Sequence, residues 1–440
     1  MKTGQLRYDI DEFIKNLTSQ LVSWRRKFHQ YPEIGWMEYV TTYYIAKELE
    51  SMDYKLAIGT DALMTKQRMG IPEQQLLKES EERARRKGVP PNYMTKLAGG
   101  HTGLVAQWDT GRPGKHIALR FDIDALPIEE VYDHAHLPVK EGFQSQNQGW
   151  MHACGHDGHI AIGLGLAHMI KHFQDSLSGR FTLLFQPAEE GGRGALPMVK
   201  NGWLDDVDEF ISGHIGIHSL SIGEVAATTN QFLASSKINV TFKGRAAHAG
   251  VEPEKGQNAL LACATASLQL QGISRHSGGT TRINIGKLEA GSGRNIIADQ
   301  GRMEIETRGE NDELDQYMFN EAKRMIHATG DMYGVQTKME VVGHAIDGTC
   351  DNEWVKRVEK VASQSKCIKN VHPVLPLGAS EDVTYMMKKV QNNGGKATYL
   401  IFGTPLVNGH HHQAFDFDER VLPIAVEVIG RLIIYLQDEK

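Results

Sequence analysis

Cysteine, histidine and carboxylate side chains are the protein groups that hold divalent transition metals, and this chain places all three types at a few well-separated points. In the run Met151-His152-Ala153-Cys154-Gly155-His156-Asp157-Gly158-His159, Cys154 and His156 stand two residues apart across a glycine. Such a turn lets both side chains point the same way. Glu189 and Glu190 follow the apolar run Arg180 to Phe185 and precede two glycines. His214 sits within the apolar run Phe210 to Ile217, where an ionisable group needs a partner to offset its burial. Adjacent glutamates divide two tasks well: one ligates metal, the other accepts a proton from a water that the ion has made acidic. That is the chemistry of metal-assisted amide hydrolysis. The plain alternatives are two exposed glutamates on a loop and histidines on solvated loops. Histidines also cluster at His214 and His218 and at His410, His411 and His412.

The elements that must position these groups alternate. Amphipathic spacing of Phe13, Leu17, Leu21 and Trp24 predicts a helix from Ile10 to Phe28, and a second runs from Tyr39 to Met52. Strands are expected at His116 to Phe121, leading into Asp122-Ile123-Asp124, then at Arg180 to Phe185 and Phe210 to Ile217. Helices are expected over Ile160 to Phe173 and Ala195 to Asn201. This is the pattern of an α/β layered domain with a mostly parallel core sheet, whose functional loops gather at the carboxyl ends of the strands. The stretch Gly59 to Gly100 differs. It is charged, with a helical block from Glu73 to Lys87 ended by Gly88 and Pro90, and it reads as an inserted surface element, either a solvated helix or a cover over substrate.

From about Ser235 the pattern changes to β-α-β-β-α-β, with strands Lys237 to Phe242, Thr281 to Lys287, Gly301 to Arg308 and Thr337 to Val342, and helices Gln257 to Leu270 and Leu314 to Thr329. This order matches a ferredoxin-like α+β unit. The expected division is 1–234 and 343–440 for one domain, with 235–342 inserted as another.

A chain of 440 residues is too long for one ordinary core. A net charge of -6 gives no electrostatic reason to expect nucleic acid or an anionic membrane as partner. No apolar run spans a bilayer, and Met1 to Asp11 lacks the pattern of a signal peptide. Cys154, Cys263, Cys350 and Cys367 are scattered and form no disulfide framework, which points to the cytoplasm.

The strings MHACGHDGH, QPAEEGGRGA, AAHAGVEPEKGQNAL, GSGRNIIAD and HHHQAFDFDE, in that order and with an isolated histidine after the second, resemble the metal-dependent aminoacylase and carboxypeptidase G family. Within it they are closest to the amidohydrolases acting on N-acyl amino acids. The resemblance covers nearly the whole chain. It implies an α/β zinc-peptidase-like catalytic domain with an inserted ferredoxin-like lid that dimerises. It implies two divalent ions, manganese favoured and zinc the alternative, held by Cys154, His156, Glu190, His214 and His411, with the thiolate bridging. Glu189 takes the place of the general base. His248 matches a histidine that polarises the scissile carbonyl, commonly across a dimer. Asn295 and Arg308 match substrate-binding positions, and the planar fork of Arg308 suits a carboxylate. Asp122 and Asp157, with His159, are candidates for supporting the ligands from behind. Where many relatives carry a metal-binding histidine, two residues before Asp122, this chain has Arg120. RMG at Arg68 to Gly70, DTGRPG at Asp109 to Gly114 and GLGLAH at Gly163 to His168 favour p-aminobenzoyl-glutamate as substrate. Indole-acetyl or hippurate-like conjugates and dipeptides are alternatives, and a non-catalytic component of a hydrolase complex is the rival of another class. A homodimer is expected, and a homologous second subunit is a further expected partner.

Overall fold

His116 to Asp122 and Arg180 to Gln186 are apolar almost throughout, the composition of strands covered on both faces, and they pair in parallel at the centre of a large sheet. The computed structural model describes residues 9–439. Residues 1–8, most of the polar N-terminal segment, and residue 440 lie outside the described residues.

In chain order, helices α1 (Ile10–Gln30) and α2 (Tyr39–Glu50) precede strand β1 (Lys55–Ile58), helices α3 (Gln74–Arg86) and α4 (Pro91–Leu97), and strands β2 (Leu104–Asp109) and β3 (His116–Asp122). Then come α5 (Leu137–Lys140), α6 (His156–His172), β4 (Arg180–Gln186), α7 (Ala195–Lys200), β5 (Glu209–Ser219), β6 (Glu224–Ala226), β7 (Thr229–Asn230) and β8 (Ala234–Lys243). The chain continues through α8 (Ala259–Leu270), β9 (Thr281–Ala290), β10 (Gln300–Gly309), α9 (Asp312–Tyr333) and β11 (Gln336–Ala345). It ends with α10 (Glu353–Ala362), β12 (Asn370–His372), β13 (Leu375–Pro376), α11 (Thr384–Asn392), β14 (Lys396–Thr404) and α12 (Val421–Asp438).

The large sheet has the order β1-β2-β4-β3-β5-β14-β6-β12. Its centre, β4-β3-β5-β14, is parallel, while β1 and β2 join antiparallel, and β6 joins antiparallel to β14 and parallel to β12. The expected parallel sheet is therefore confined to the middle. Helices α1, α6 and α12 bury one face through Leu21, Trp24, Leu164 and Val428, and α7 and α11 cover the other through Met198, Met386 and Met387.

Strands β8 to β11 make a separate antiparallel sheet of order β11-β8-β10-β9. Ile238, Val240, Phe242, Met303 and Ile305 alternate onto the face that packs α8 and α9. The opposite face carries Lys237, Asn239, Glu306 and Arg308, all partly exposed. The two sheets realise the expected class: an α/β body with an inserted α+β unit. Among the described residues no helix is long and apolar enough to cross a membrane.

Two local readings change. The motif around Cys154 does not end before its helix; His156 is the first residue of α6, because Gly155 takes a left-handed backbone (φ 84°) that starts the helix there. Nor is the stretch from Gly59 to Gly100 a solvated appendage. Leu77, Ala84, Tyr93, Met94 and Leu97 are buried in the main core, since α3 and α4 pack on α2.

Helix α6 is tied to α1 by a buried charged network. Asp157 accepts from Arg25 Nε at 2.9 Å and from His29 Nδ1 at 2.8 Å, and His29 Nε2 reaches Glu130 at 3.0 Å. Burial opposes a charge on His29, but Asp157 and Glu130 outweigh it and raise its pKa to about 9. The charged form therefore stabilises the fold in full below the ordinary value of 6.5, and that contribution is lost as pH rises through 9. His29→Gln is expected to lower the melting temperature by several degrees near pH 6 and by much less above pH ~9.5. Equal losses at both pH values would show that His29 is neutral in the folded protein.

Candidate active site

The candidate donors come from loops and strand ends on one edge of the large sheet. Cys154 precedes α6, Glu189 and Glu190 follow β4, and His214 lies on β5. His411 belongs to the segment after β14. Ligand atoms of Cys154, His156 and His214 lie within 4.8 Å of one another, and so do those of Cys154, Glu190 and His411, and of His156, Glu189 and Glu190. Overlapping groups that share Cys154, His156 and Glu190 trace the outline of a paired centre.

Each imidazole is oriented from behind. His156 Nδ1 donates to the Asp124 carbonyl at 2.8 Å, which leaves Nε2 buried with no hydrogen-bond partner. His214 Nδ1 donates to the Ile215 carbonyl at 2.8 Å, and its Nε2 lies 3.5 Å from Cys154 Sγ. In both, Nε2 is the nitrogen a metal would take. Burial holds the pKa of His214 well below the ordinary value, and neighbouring His159 and His410 add to this, so the ring is neutral, as a ligand must be. His411 Nε2 approaches Glu190 Oε1 at 3.2 Å, off the direction of a hydrogen bond, so that buried oxygen also has no partner. These bare, converging donor atoms fit divalent ions.

The neighbouring histidines are distinguished by their partners. His159 Nδ1 donates to Asp122, and its Nε2 accepts from Ile215 N–H at 2.9 Å, so no lone pair remains. His410 Nε2 accepts from Ile217 N–H at 2.8 Å, and His412 Nδ1 accepts from Ala414 N–H at 3.0 Å. Of the three consecutive histidines, His411 alone joins a donor group among the described residues. His152 is buried with both ring nitrogens unpartnered and joins no group.

The glutamate loop is held by carboxylates on its backbone. Asp124 accepts from Glu189 N–H and Glu190 N–H, both at 3.0 Å. Glu38 accepts from Ala188 N–H at 2.8 Å, and Asp382 accepts from Gly194 and Ala195 at 3.0 and 2.9 Å. Ala188 (φ 49°), Ile217 (φ 67°) and His411 (φ 63°) adopt left-handed backbones around the site. Side chains rarely accept that conformation, and its cost is borne by the surrounding packing.

Glu189 is 9% exposed. Burial, then the charges of Glu381 and Glu190, push its carboxyl well above the usual range. Burial also acts to raise the pKa of Glu190, but His411, His156 and Lys237 outweigh it and hold the group below its ordinary value. Oxygens of Glu189, Glu381 and Asp382 lie within 4.8 Å of one another. Arg120 is the buried guanidinium set against them. It donates from Nη1 to Asp122 at 2.7 Å, from Nη2 to Glu381 at 3.1 Å and from Nε to Gln186 at 2.8 Å.

Asp122 thus touches His159 and Arg120 directly and lies 3.7 Å from His156 Nε2. Asp157 faces Arg25 and His29 instead and belongs to no donor group. His248 and Asn295 are exposed on adjacent segments of the inserted unit, joined where Ala249 N–H donates to the Asn295 carbonyl at 3.0 Å. Arg308 is paired with Glu306 on the same strand. None of these three joins a donor group. Asp124, Glu381 and Asp382 were missed from sequence. Asp124 had a signal, lying at the end of β3 beside Asp122; Glu381 and Asp382 sit in an ordinary-looking loop with none.

A cavity of about 1160 Å³ between α1, the loop at Val131 to Leu137 and the start of α12 contains none of these donors.

An α/β body with thiolate, imidazole and carboxylate converging at the ends of its parallel strands is the make-up of a metallopeptidase-type amide hydrolase. The chain belongs to peptidase family M20/M25/M40, whose model matches residues 118–435. It is 45% identical over 423 residues to one of the subunits of p-aminobenzoyl-glutamate hydrolase from Escherichia coli (strain K12), covering 96% of this chain and 97% of that protein. It is 43% identical over 422 residues to indole-3-acetyl-aspartic acid hydrolase of Enterobacter agglomerans, covering 96% and 97%. Among solved structures, the aminobenzoyl-glutamate utilization protein from Klebsiella pneumoniae aligns with a TM-score of 0.84 at 37% identity, covering 97% of this chain and 98% of that one. The protein is a hydrolase acting on amide bonds.

Loss of a donor is expected to show in metal content. His411→Ala should weaken retention of divalent metal by roughly tenfold or more, whereas His412→Ala should leave it unchanged. Metal analysis after gel filtration checks both, and equal retention by the two variants would remove His411 from the site.

Proposed function

We propose that this protein hydrolyses the amide bond of N-acyl amino acids, with p-aminobenzoyl-glutamate the favoured substrate. The observation that carries the reading is the convergence, in overlapping groups, of Cys154, His156, Glu190, His214 and His411 beside Glu189. Similarity to hydrolases named for aminobenzoyl-glutamate and indole-acetyl-aspartate supports the substrate class, and both names denote amides of dicarboxylic amino acids. Conjugates of indole-acetic or hippurate-like acids are the second reading, favoured by the similarity to the indole-acetyl-aspartate enzyme.

In this reading the five donors hold two divalent ions, manganese favoured and zinc the alternative. When bound, the ions polarise the scissile carbonyl and acidify water at the site. Glu189 accepts the proton from the attacking water and returns it to the departing amine. Its backbone is fixed by Asp124, so its carboxylate has little freedom to miss. Asp122 steadies the imidazole layer through His159. Asn295 and Arg308 bind the amino-acid half of the substrate.

His248 completes the oxyanion contact from a second copy of the chain. The inserted unit, residues 235–342, is the platform for that homodimer. In support, α8 exposes Leu260, Leu261 and Leu268, and the edge strand β9 exposes Leu288. Exposed apolar side chains on one element with an open strand edge beside it are the usual makings of an interface. A homologous second subunit is a further partner, supported by relatives whose names make each of them one component of a hydrolase with several. Four free cysteines fit a cytoplasmic location.

Glu189→Gln is expected to lower kcat on p-aminobenzoyl-glutamate by roughly 10²–10⁴-fold while metal content stays at the wild-type level. Full turnover in a metal-loaded Glu189→Gln protein would sink the assignment.

A further inference from the structure

A cation stands between the two sheets that the chain's own carboxylates leave unpaired. Ser235 and Lys237 lie on the face of β8 turned away from α8 and α9, because successive side chains of a strand alternate, and Ser236 between them points the other way, donating to Asp315 of α9 at 2.7 Å. In register, Ser235 stands opposite Arg308 and Lys237 opposite Glu306 on β10. On its other side Lys237 stands opposite Gly343 of β11.

That neighbour fixes Lys237 against the catalytic loop. Gly343 is packed so tightly on Gly191 that a Cβ would come within 1.9 Å of the Gly191 carbonyl oxygen, and His344 N–H donates to the Gly192 carbonyl at 2.8 Å. Lys237 is therefore about one strand spacing, roughly 5 Å, from Gly343, the residue packed on the loop that follows Glu190. Its charge is felt at the Glu190 carboxylate.

Neither polar group on this face is satisfied from within. Glu306, across from Lys237, is taken by Arg308. Among the described residues the Lys237 ammonium makes no hydrogen bond and no ion pair. The Ser235 hydroxyl is 1% exposed and has no hydrogen-bond partner. A buried hydroxyl and a half-buried ammonium, two residues apart on one face and beside a catalytic loop, need an acceptor that carries negative charge.

We propose that Ser235 and Lys237 form the subsite for the side-chain carboxylate of an acidic amino acid in the leaving half of the substrate, next to Arg308, which takes the α-carboxylate. The proposal rests on the N-acyl amino acid reading above. It makes Lys237 a specificity-determining residue. A leaving amino acid with a neutral side chain leaves the ammonium without its counter-charge.

The test compares metal-loaded wild type and Lys237→Met on p-aminobenzoyl-glutamate and p-aminobenzoyl-glutamine, with bound metal measured in each. The expected result is a wild-type preference for the glutamate conjugate. Lys237→Met should reduce that kcat/KM ratio roughly 10–100-fold, mostly through KM on the glutamate conjugate, with metal content held. Lys237→Arg should retain much of the preference. Ser235→Ala should lower the ratio by roughly threefold to tenfold. A ratio unmoved by Lys237→Met, with both conjugates losing activity alike, overturns the subsite and makes Lys237 a counter-charge for Glu190 only. Wild type that cleaves neutral N-acyl amino acids but shows no preference for acidic ones also overturns it, and leaves the hydrolase reading standing. Wild type that cleaves none of them removes that reading, and the subsite with it.

Discussion

Buried negative charge is the constraint around which this protein is arranged. Asp122, Asp124, Glu189, Glu190, Glu381 and Asp382 crowd one small volume at the edge of the large sheet, and Arg120 is the buried guanidinium among them. Coulomb repulsion at such separations is severe where solvent is excluded. Part of it is relieved by using carboxylates as acceptors for backbone N–H groups, as Asp124 and Asp382 do at either end of the glutamate loop. Part is relieved at Glu189, where burial and then the charges of Glu381 and Glu190 push the carboxyl pKa well above the usual range. The rest is an electrostatic demand for cations, and Nε2 of His156 and Nε2 of His214 face the same space. Two divalent ions would answer both.

The same arrangement accounts for an arginine at position 120, two residues before Asp122. Its guanidinium spans Asp122, Gln186 and Glu381 at once, a geometry that a compact ammonium or an imidazole cannot reproduce. His156, in the first turn of α6, turns its Nε2 to the same space. The start of that helix is in turn anchored through Asp157 to Arg25 and His29. Asp157 therefore acts on the site through the placement of a helix.

Much of this was legible in the sequence because chemistry and periodicity coincided. Glu189 and Glu190 follow an apolar run, His214 sits within one and Cys154 and His156 precede one, so both their type and their position were visible. The β-α-β-β-α-β order of the inserted unit could be read from clean alternation in Gly301 to Arg308. His411 required the resemblance, since nothing in three consecutive histidines marks the one whose left-handed backbone turns it toward Glu190. Glu381 and Asp382 were illegible because their meaning is tertiary: they acquire partners only when the segment ahead of β14 folds against the glutamate loop. Lys237 reads as one more outward residue of an alternating strand until the register places it beside Gly343.

The sheet order also bears on synthesis. β14 lies between β5 and β6, although it is formed from residues 396–404, long after both have left the ribosome. The inserted sheet closes from strands that are near one another in the chain, whereas the large sheet stays split until almost the last segment emerges. Pairings between distant parts of a chain form slowly and leave apolar edges bare while they wait. A nascent polypeptide that already carries Cys154, His156 and both glutamates thus lacks β14 and His411, the histidine that lies beside Glu190. Premature termination before β14 is complete would release a molecule with an open seam through its core rather than a slightly shortened enzyme.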